Sequence, residues 1–241
     1  MLIDPKDLQY DLQRLEEIEK ASLRLVVQAI LDFRETAVEI FHKEKDLPQD
    51  MAEDVTREAL DRMGVSRIDE RLFGKIDYKR ARYVFAPEYA VRQALFVDSK
   101  AEDIAGQGTA TIQTAQTSLR IRQIRAGTEM DVEGKLPKVL ENTSKGKYLT
   151  TTIFVKYNYR QTSADLEDQQ LLGITIIALP NGMLQDKYNP SAINSFWRAG
   201  RNAPTLGEDF RVRIGISALK SLCSWRIQHV PVPPATFTWD E

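Results

Sequence analysis

A change of hydrophobic period near Gly64 is the feature that most constrains how this chain can fold. From Asp4 to about Lys45, apolar residues recur mostly at spacings of three or four, which is typical of one face of a long helix. Asp4 followed by Pro5 is a favourable N-cap and first-turn pair. Residues 49–63 repeat the helical spacing, and Gly64 ends it. Beyond this point the pattern is that of strands, so the sequence predicts a helical N-terminal part followed by a sheet.

The first helical stripe is long for a chain of this size. A helix of about 40 residues would be about 60 Å long, which exceeds the width of a domain of this size. We therefore expect two helices or one bent helix. Either part of the apolar stripe reaches a subunit interface, or all of it packs inside the chain.

Segments rich in β-branched and aromatic residues follow, bounded by Gly, Pro and Asn. The predicted strands are residues 74–85, 91–102, 148–160, 171–180 and 210–217. Residues 109–123 are predicted to form a helix and residues 126–147 a loop. The result is a mixed central sheet flanked by helices, an α/β or α+β fold. We expect a single domain with a helical part at 1–64, a core at 70–228 and an extended tail at 229–241 that packs on a neighbour or hangs free.

Composition disfavours several classes of function. Cys223 is the only cysteine, so no disulfide framework or thiolate metal cluster is expected. His42 and His229 lie far apart, which disfavours zinc hydrolase and histidine-dependent nuclease mechanisms. The net charge of −2 argues against indiscriminate coating of nucleic acid. Without a signal peptide or an apolar run of about 18 residues, we predict a cytoplasmic protein with no membrane partner.

The strongest functional signal is the set of charges that ends the second predicted strand. Asp98 and Lys100 follow an apolar run and lie two positions apart, so they share one face of a strand. A symmetric turn at residues 86–89 would set Asp77 opposite Asp98, and carboxylates on Cβ atoms about 5 Å apart can share one divalent cation. We therefore predict Asp77, Asp98 and the Ser99 carbonyl as Mg²⁺ ligands, with Lys100 acting on a water molecule that attacks a phosphodiester.

Glu53, on the second predicted helix, is a further candidate for the same site. It would serve as an extra catalytic acid or as a ligand to water. The alternative is an ordinary helix-surface pair with Arg57 at i+4.

These segments resemble a known family. GKIDYKRARY (74–83) followed by LFVDSKAE (95–102) resembles the catalytic core of the PD-(D/E)xK nucleases. AEDVTREAL, TTIFVKYNYR, KYNPSAINSFWRAGRNAP and RVRIGISALKSLCSWRIQ are, in the same order, similar to segments of the SfiI-like type II restriction endonucleases. The likeness runs from the first helix to about Gln228, and the chain is shorter than those enzymes after that residue.

The resemblance implies a homodimeric or homotetrameric, Mg²⁺-dependent endonuclease. It implies cleavage of both strands of double-stranded DNA at an interrupted palindrome, leaving a 5′-phosphate and a 3′-hydroxyl. Asp77, Asp98 and Lys100 match the catalytic positions of the family, although Ile76 stands where the motif has proline.

Basic residues supply candidate DNA contacts. Arg211 and Arg213 alternate along a predicted strand, so both can enter the major groove, where arginine binds the acceptors of guanine; this favours a G·C-containing site. The loop residues Arg198, Arg201 and Asn202 are candidates for phosphate or base contacts, with surface solubility as the alternative. We expect phosphate contacts from two further residues near the catalytic strand, Lys79 and Arg80.

Two other functions stay open on the sequence. A structure-specific repair or recombination nuclease would use the same core to cut branched or damaged DNA with little sequence preference. In a DNA-binding or structural protein, the acids and Lys100 would form a buried ion pair and hold no metal.

Overall fold

The protein is represented by a computed structural model, which describes residues 2–68, 81–103, 108–141, 146–161, 169–199 and 211–241. The α-helices in these ranges are α1 (Leu12–Lys43), α2 (Pro48–Arg62), α3 (Gln185–Tyr188) and α4 (Ile216–Leu222). None of the helices in the described ranges is both long enough and apolar enough to cross a membrane. The strands are β1 (Ala81–Ala86), β2 (Val91–Asp103), β3 (Thr109–Ile112), β4 (Ile121–Arg125), β5 (Thr128–Val132), β6 (Val139–Leu140), β7 (Tyr148–Gln161), β8 (Gln169–Leu179), β9 (Trp197–Ala199), β10 (Val212–Gly215) and β11 (Ile227–Pro231).

The N-terminal stripe divides close to its start. A 3₁₀ helix spans Pro5–Tyr10, and the Asp11 side chain then caps α1 by accepting a hydrogen bond from the Arg14 amide at 3.1 Å. The 32 residues of α1 continue as one helix, about 48 Å long at 1.5 Å per residue. Its apolar stripe from Leu15 to Phe41 is buried within the chain. Internal packing, rather than a subunit interface, therefore accounts for this stripe.

Within the described residues, a main sheet has the order β1-β2-β7-β8-β11, and β6 also pairs with β7. The β2 and β7 strands are parallel, and the other pairs are antiparallel. Residues alternate between the two faces of each strand. One face packs under α1 and α2 through Val97, Ile153 and Val155, so the helices cover this side of the sheet.

A smaller sheet, in the order β3-β10-β9, packs on the opposite face of the main sheet. Ile112 and Ile214 from the small sheet share one apolar cluster with Phe154 and Ile177 from the main sheet. This contact covers one end of that face. Near the end of β2, the same face presents charged and polar side chains instead.

The segment 109–123 is not the predicted helix. It forms β3, a short 3₁₀ helix at Thr114–Gln116 and β4, and the predicted loop at 126–147 contains β5 and β6. The segment is rich in β-branched threonine and isoleucine, and pairing with β10 satisfies the β3 backbone. The predicted strand 210–217 is also shorter, because α4 begins at Ile216.

The C-terminal tail neither hangs free nor requires a neighbour. Phe237 and Trp239 pack against the apolar cluster under α1. The Arg24 guanidinium lies 5.5 Å from the centre of the Trp239 ring. The Asp240 amide donates to the Gln228 side chain at 3.0 Å. The tail is thus part of the fold of the chain.

A buried ion pair ties α1 to the 3₁₀ turn at Ser224–Arg226, just before β11. Arg226 lies 2.6 Å from Glu19, and both side chains are fully buried. The rings of Tyr188 and Trp225 each lie 4.4 Å from the Arg226 guanidinium. Burial alone would lower the pKa of Arg226, but the Glu19 carboxylate outweighs it and raises that pKa. Burial raises the pKa of Glu19, although the Arg226 charge opposes this effect, so the pair depends on its close contact and on the packing around it.

Candidate active site

Asp98 and Lys100 meet at the carboxyl end of β2, as the sequence predicted. Lys100 Nζ lies 2.5 Å from Asp98 Oδ2. The two side chains share a face because they are two positions apart on a strand. In the parallel ladder with β7, Asp98 pairs with Phe154 and Lys100 pairs with Lys156. These long parallel strands are what fix the positions of both groups.

The ion pair is buried on one side and open on the other. The Asp98 side chain is 6% exposed, whereas the Lys100 side chain is 24% exposed. A small cleft beside Asp98 is lined by Phe96, Gln116 and Thr152 as well as by its own side chain. A carboxylate in such a position requires a cation or hydrogen-bond donors to offset its loss of hydration. Lys100 supplies the cation and also reaches solvent, where a substrate can approach.

The register of β1 against β2 differs from the prediction. The predicted turn would pair Ala81 with Ala94, but Ala81 pairs with Phe96. The reason is that the connection lies at residues 87–90, with Ala90 in the left-handed region at φ 54°. The argument that set Asp77 opposite Asp98 is therefore wrong by two residues. Asp77 itself lies outside the described residues.

Gln49 on α2 joins the predicted metal ligand Ser99 to Glu53. Its side-chain nitrogen donates to the Ser99 carbonyl at 2.8 Å and to Glu53 Oε1 at 3.0 Å. Its side-chain oxygen accepts from the Ala101 amide at 3.1 Å. The Gln49 side chain thus hydrogen-bonds to a backbone carbonyl and an amide of β2, as the backbone of a neighbouring strand would. These bonds hold α2 close to the site.

Glu53 is thus linked through Gln49 to the Ser99 segment of β2, and its role as a catalytic acid or ligand to water stays a prediction. Arg57 donates to Asp54 on the same helix, and its predicted pairing with Glu53 stays the alternative. Sequence reasoning missed Gln49 altogether. The available signal was its position four residues before Glu53, on the same helical face.

The predicted DNA-contacting arginines lie on the smaller sheet. Arg213 on β10 pairs directly with Arg198 on β9, so the two side chains share one face. Arg211 comes immediately before β10 and is partly buried, whereas Arg198 is exposed. At Gly215, a Cβ atom would lie 3.1 Å from Arg198 Nε, so this glycine makes room for that side chain. Four predicted contact residues lie outside the described residues: Arg201, Asn202, Lys79 and Arg80.

The donor atoms at this site fit a hard divalent cation. Asp98 contributes carboxylate oxygens and Ser99 a backbone carbonyl, and oxygen is the donor that Mg²⁺ prefers. The residues described in the structure contain no group of three or more histidine, cysteine or acidic side chains with metal-ligand geometry. Within those ranges the site therefore offers a mixed set of one carboxylate and one carbonyl.

Comparison with known proteins places this arrangement in a family. A family model described as "Type II restriction enzyme SfiI" matches residues 26–230. The type II restriction enzyme SfiI of Streptomyces fimbriatus is 33% identical over 229 residues, 91% of this chain and 85% of that protein. The crystal structure of tetrameric restriction endonuclease SfiI bound to cognate DNA superimposes with a TM-score of 0.81 and 29% identity, over 98% of this chain and 90% of that one.

A second solved structure supports the fold. Restriction endonuclease BglI bound to its DNA recognition sequence superimposes with a TM-score of 0.75 and 15% identity, over 95% of this chain and 94% of that one. Such low identity supports the likeness of the fold and nothing more. The mixed sheet with flanking helices is therefore an architecture that restriction endonucleases use.

Proposed function

The chain belongs to the SfiI family of type II restriction enzymes, and we propose that it cuts both strands of duplex DNA at a specific sequence by Mg²⁺-dependent hydrolysis. The observation that supports this proposal most directly is the contact between Asp98 and Lys100 at the end of β2. It lies beside a cleft that contains Asp98. The product ends are a 5′-phosphate and a 3′-hydroxyl.

Each residue of the site has a chemical role in this proposal. Asp98, the Ser99 carbonyl and Asp77 would hold the cation, which supplies charge neutralisation for the phosphate and lowers the pKa of bound water. The Lys100 ammonium, 2.5 Å from Asp98, would donate a hydrogen bond to the attacking water and orient it, so that an O–H of this water points toward the carboxylate. Glu53, fixed by Gln49 at 3.0 Å, supplies a further acid at the same end of the strand.

The facing arginines of β9 and β10 are proposed to contact DNA. Arg213 and Arg198 share a face, and Arg198 is exposed. Arginine binds guanine through two parallel hydrogen bonds in the major groove, so we propose that the recognition site contains G·C pairs. Membership of the SfiI family supports an interrupted palindrome.

Arg213→Ala tests this role. It should weaken specific binding by roughly 1 to 3 kcal/mol and spare the salt-dependent nonspecific mode. Binding titrations with specific and unrelated duplexes at two salt concentrations measure both terms. An equal loss on every sequence would mean that Arg213 contacts only the phosphate backbone.

Oligomerisation follows from the chemistry. Each chain contributes one candidate site, and a duplex has two strands, so a twofold pair is the smallest symmetric solution. The related SfiI structure is described as tetrameric and bound to cognate DNA, so we propose a homotetramer, with a homodimer as the smaller alternative. Light scattering of the purified protein, with and without duplex DNA, separates the two.

Digestion of a plasmid of known sequence tests the function as a whole. With Mg²⁺ present, discrete fragments are expected, and run-off sequencing of their ends gives the site, the stagger and the end chemistry. A smear instead would favour the structure-specific nuclease. No strand scission at any Mg²⁺ concentration would favour a DNA-binding protein without catalysis.

A further inference from the structure

Lys156 on β7 is fully buried, although lysine is rarely placed where water cannot reach it. It pairs with Lys100 in the parallel ladder between β2 and β7, and so lies next to the candidate active site. Taking an ammonium out of water costs several kcal/mol unless it has close partners. Such a residue requires specific partners on its own face of the sheet.

Its partners come from two different sheets. Lys156 Nζ lies 2.9 Å from the Glu102 carboxylate on β2, and it donates to the Thr109 carbonyl on β3 at 2.8 Å. Glu102 lies two residues beyond Lys100 and shares its face. The ammonium therefore joins the catalytic end of the main sheet to the first residue of the small sheet.

The small sheet leads directly to the arginines proposed to contact DNA. Thr109 pairs with Gly215 on β10, two residues from Arg213, and Arg213 pairs with Thr111 on β3. A displacement of β10 on DNA is therefore shared by β3 through this ladder. Because Lys156 is bonded to the β3 backbone, the displacement also reaches Glu102 and the end of β2.

The contacts of Lys156 with Glu102 and with the Thr109 carbonyl form a joint between the two sheets. The strength of this joint depends on the charge near Arg213. Burial lowers the pKa of Lys156, the Glu102 carboxylate opposes that effect, and the Arg213 charge lowers the pKa further. Arg213 thus repels the Lys156 ammonium, and acceptor groups of DNA that neutralise Arg213 would relieve the repulsion. The joint is expected to be tighter when Arg213 is engaged.

We propose that Lys156 is a positioning residue that couples DNA recognition by the small sheet to the placement of Lys100 and Asp98. This inference rests on the proposed function. When β10 is bound to its DNA recognition sequence, it fixes the position of β3. The bridge through Lys156 and Glu102 then fixes the catalytic end of β2. Incorrect seating shifts the bridge and slows cleavage, so the joint contributes to discrimination after binding.

Single-turnover cleavage by Lys156→Met tests the coupling on two duplexes, one with the site identified by plasmid digestion and one with a single base pair changed. Misplacement of reacting groups by about 1 Å costs up to about 100-fold in rate. We expect the cognate rate to fall at least about 10-fold, with a much smaller fall on the changed site. The ratio of the two rates should therefore drop, while the Kd for the cognate duplex without Mg²⁺ stays within about 2-fold of the unsubstituted value.

Glu102→Gln is the second variant, because its side chain is 23% exposed and the substitution preserves its size. It should lower the same ratio in the same direction. Glu19→Gln is the matched control: it weakens a buried ion pair, with Arg226, that contacts neither β2 nor β3 in the described structure. It should reduce stability and leave the ratio unchanged.

The possible failures are distinguishable. If the unsubstituted chain makes discrete cuts but both variants at the joint keep its cleavage ratio, the coupling is wrong and the proposed function stands. An equal fall of both rates in Lys156→Met would make the residue merely structural and would also overturn the inference. If the unsubstituted chain does not cut DNA, the proposed function and the inference fall together.

Discussion

The two faces of β2 and β7 differ although they belong to the same strands. On one face, Val97, Ile153 and Val155 pack under α1 and α2 in the largest apolar cluster described. On the other, Asp98 contacts Lys100 and Glu102 contacts Lys156. Successive residues of a strand point to opposite sides, so Asp98 directly follows Val97 and Lys156 directly follows Val155.

This difference shows how the site obtains its rigidity. Burial of the apolar face holds the strands in place, and the strands in turn hold the charged groups at fixed separations. The charges do not need to stabilise the fold, since a buried ion pair seldom adds net stability over apolar packing. At the carboxyl end of β2, the packing of Val97 and the chemistry of Asp98 therefore lie on opposite sides of one layer.

Removing the catalytic charges should give the largest effect of the substitutions considered. Lys100→Met should lower the single-turnover cleavage rate by about 10³-fold, because a positioned proton-transfer group contributes about 10² to 10⁴. Asp98→Asn should act similarly, and rates are compared per folded molecule, because Lys100→Met also leaves the buried Asp98 carboxylate without its cation. Asp103→Asn is the control, since Asp103 ends the same strand, is exposed, and has the opposite parity. Full Mg²⁺-dependent cleavage by Lys100→Met would contradict the site assignment.

A cavity on the helix-covered face should separate stability from chemistry. Ile153 is fully buried, so Ile153→Ala should lower the free energy of unfolding by about 2 to 5 kcal/mol. The cleavage rate per folded molecule should stay within a few-fold of the unsubstituted value. Urea unfolding and active-site-normalised kinetics measure the two quantities. A large loss of rate at full folding would mean that the two faces are not independent.

Gln49 connects the faces, because it belongs to a helix that covers one side and bonds the strand end. Gln49→Leu should raise the Mg²⁺ concentration for half-maximal cleavage about 10-fold, as loss of a partner that orients metal ligands typically does. Gln28→Leu is a matched control: it makes the same kind of i,i+4 bond, to Asp32 at 2.7 Å, on an exposed part of α1. An unchanged Mg²⁺ response would limit Gln49 to a role in folding.

The smallest expected effect is a pH dependence at the far edge of the sheet. His229 on β11 accepts or donates a hydrogen bond with Thr175 at 3.1 Å. Partial burial of the ring lowers its pKa, with the Lys220 charge adding to this effect and Asp240 opposing it. The unfolded chain then binds more protons than the folded chain just below the ordinary histidine pKa of about 6.5, so stability falls as the pH drops through that window.

His229→Gln should remove this slope. Because the ring is partly exposed, we expect the change to be only about a few tenths of a kcal/mol. Thermal unfolding between about pH 5 and pH 8 measures it, the range in which a histidine changes its charge. His42→Gln, at the exposed end of α1, should keep the slope. If the slope survives in His229→Gln, another group causes it.

Local sequence patterns predicted the long elements well. The apolar and β-branched runs of β7 and β8 gave strands whose bounds agree within about two residues. The proximity of Asp98 and Lys100 could be predicted for the same reason, since residues two positions apart on a strand share a face. The helix predicted at 109–123 was wrong in part because β3, its first segment, pairs with β10 about a hundred residues later, and no local window contains that partner.

Other features depended on exact geometry. The β1–β2 turn lies one residue later than predicted, and this shifts the pairing of β1 with β2 by two residues. The residue types in the turn do not specify its exact position. Gln49 stayed hidden because its main partner is the Ser99 backbone, 50 residues away, and a backbone carbonyl leaves no mark on the sequence. Lys156 was part of an apparently ordinary strand.

The sequence by itself determined the helical start, the principal strands and the pair of charges two positions apart, because each depends on periodicity within a few residues. Only the tertiary structure decided that α1 is buried within its own chain, that Arg213 faces Arg198, and that Lys156 bridges two sheets. Those arrangements depend on which distant segments share a layer. That choice is made by packing the whole apolar surface at once, and no single segment specifies it.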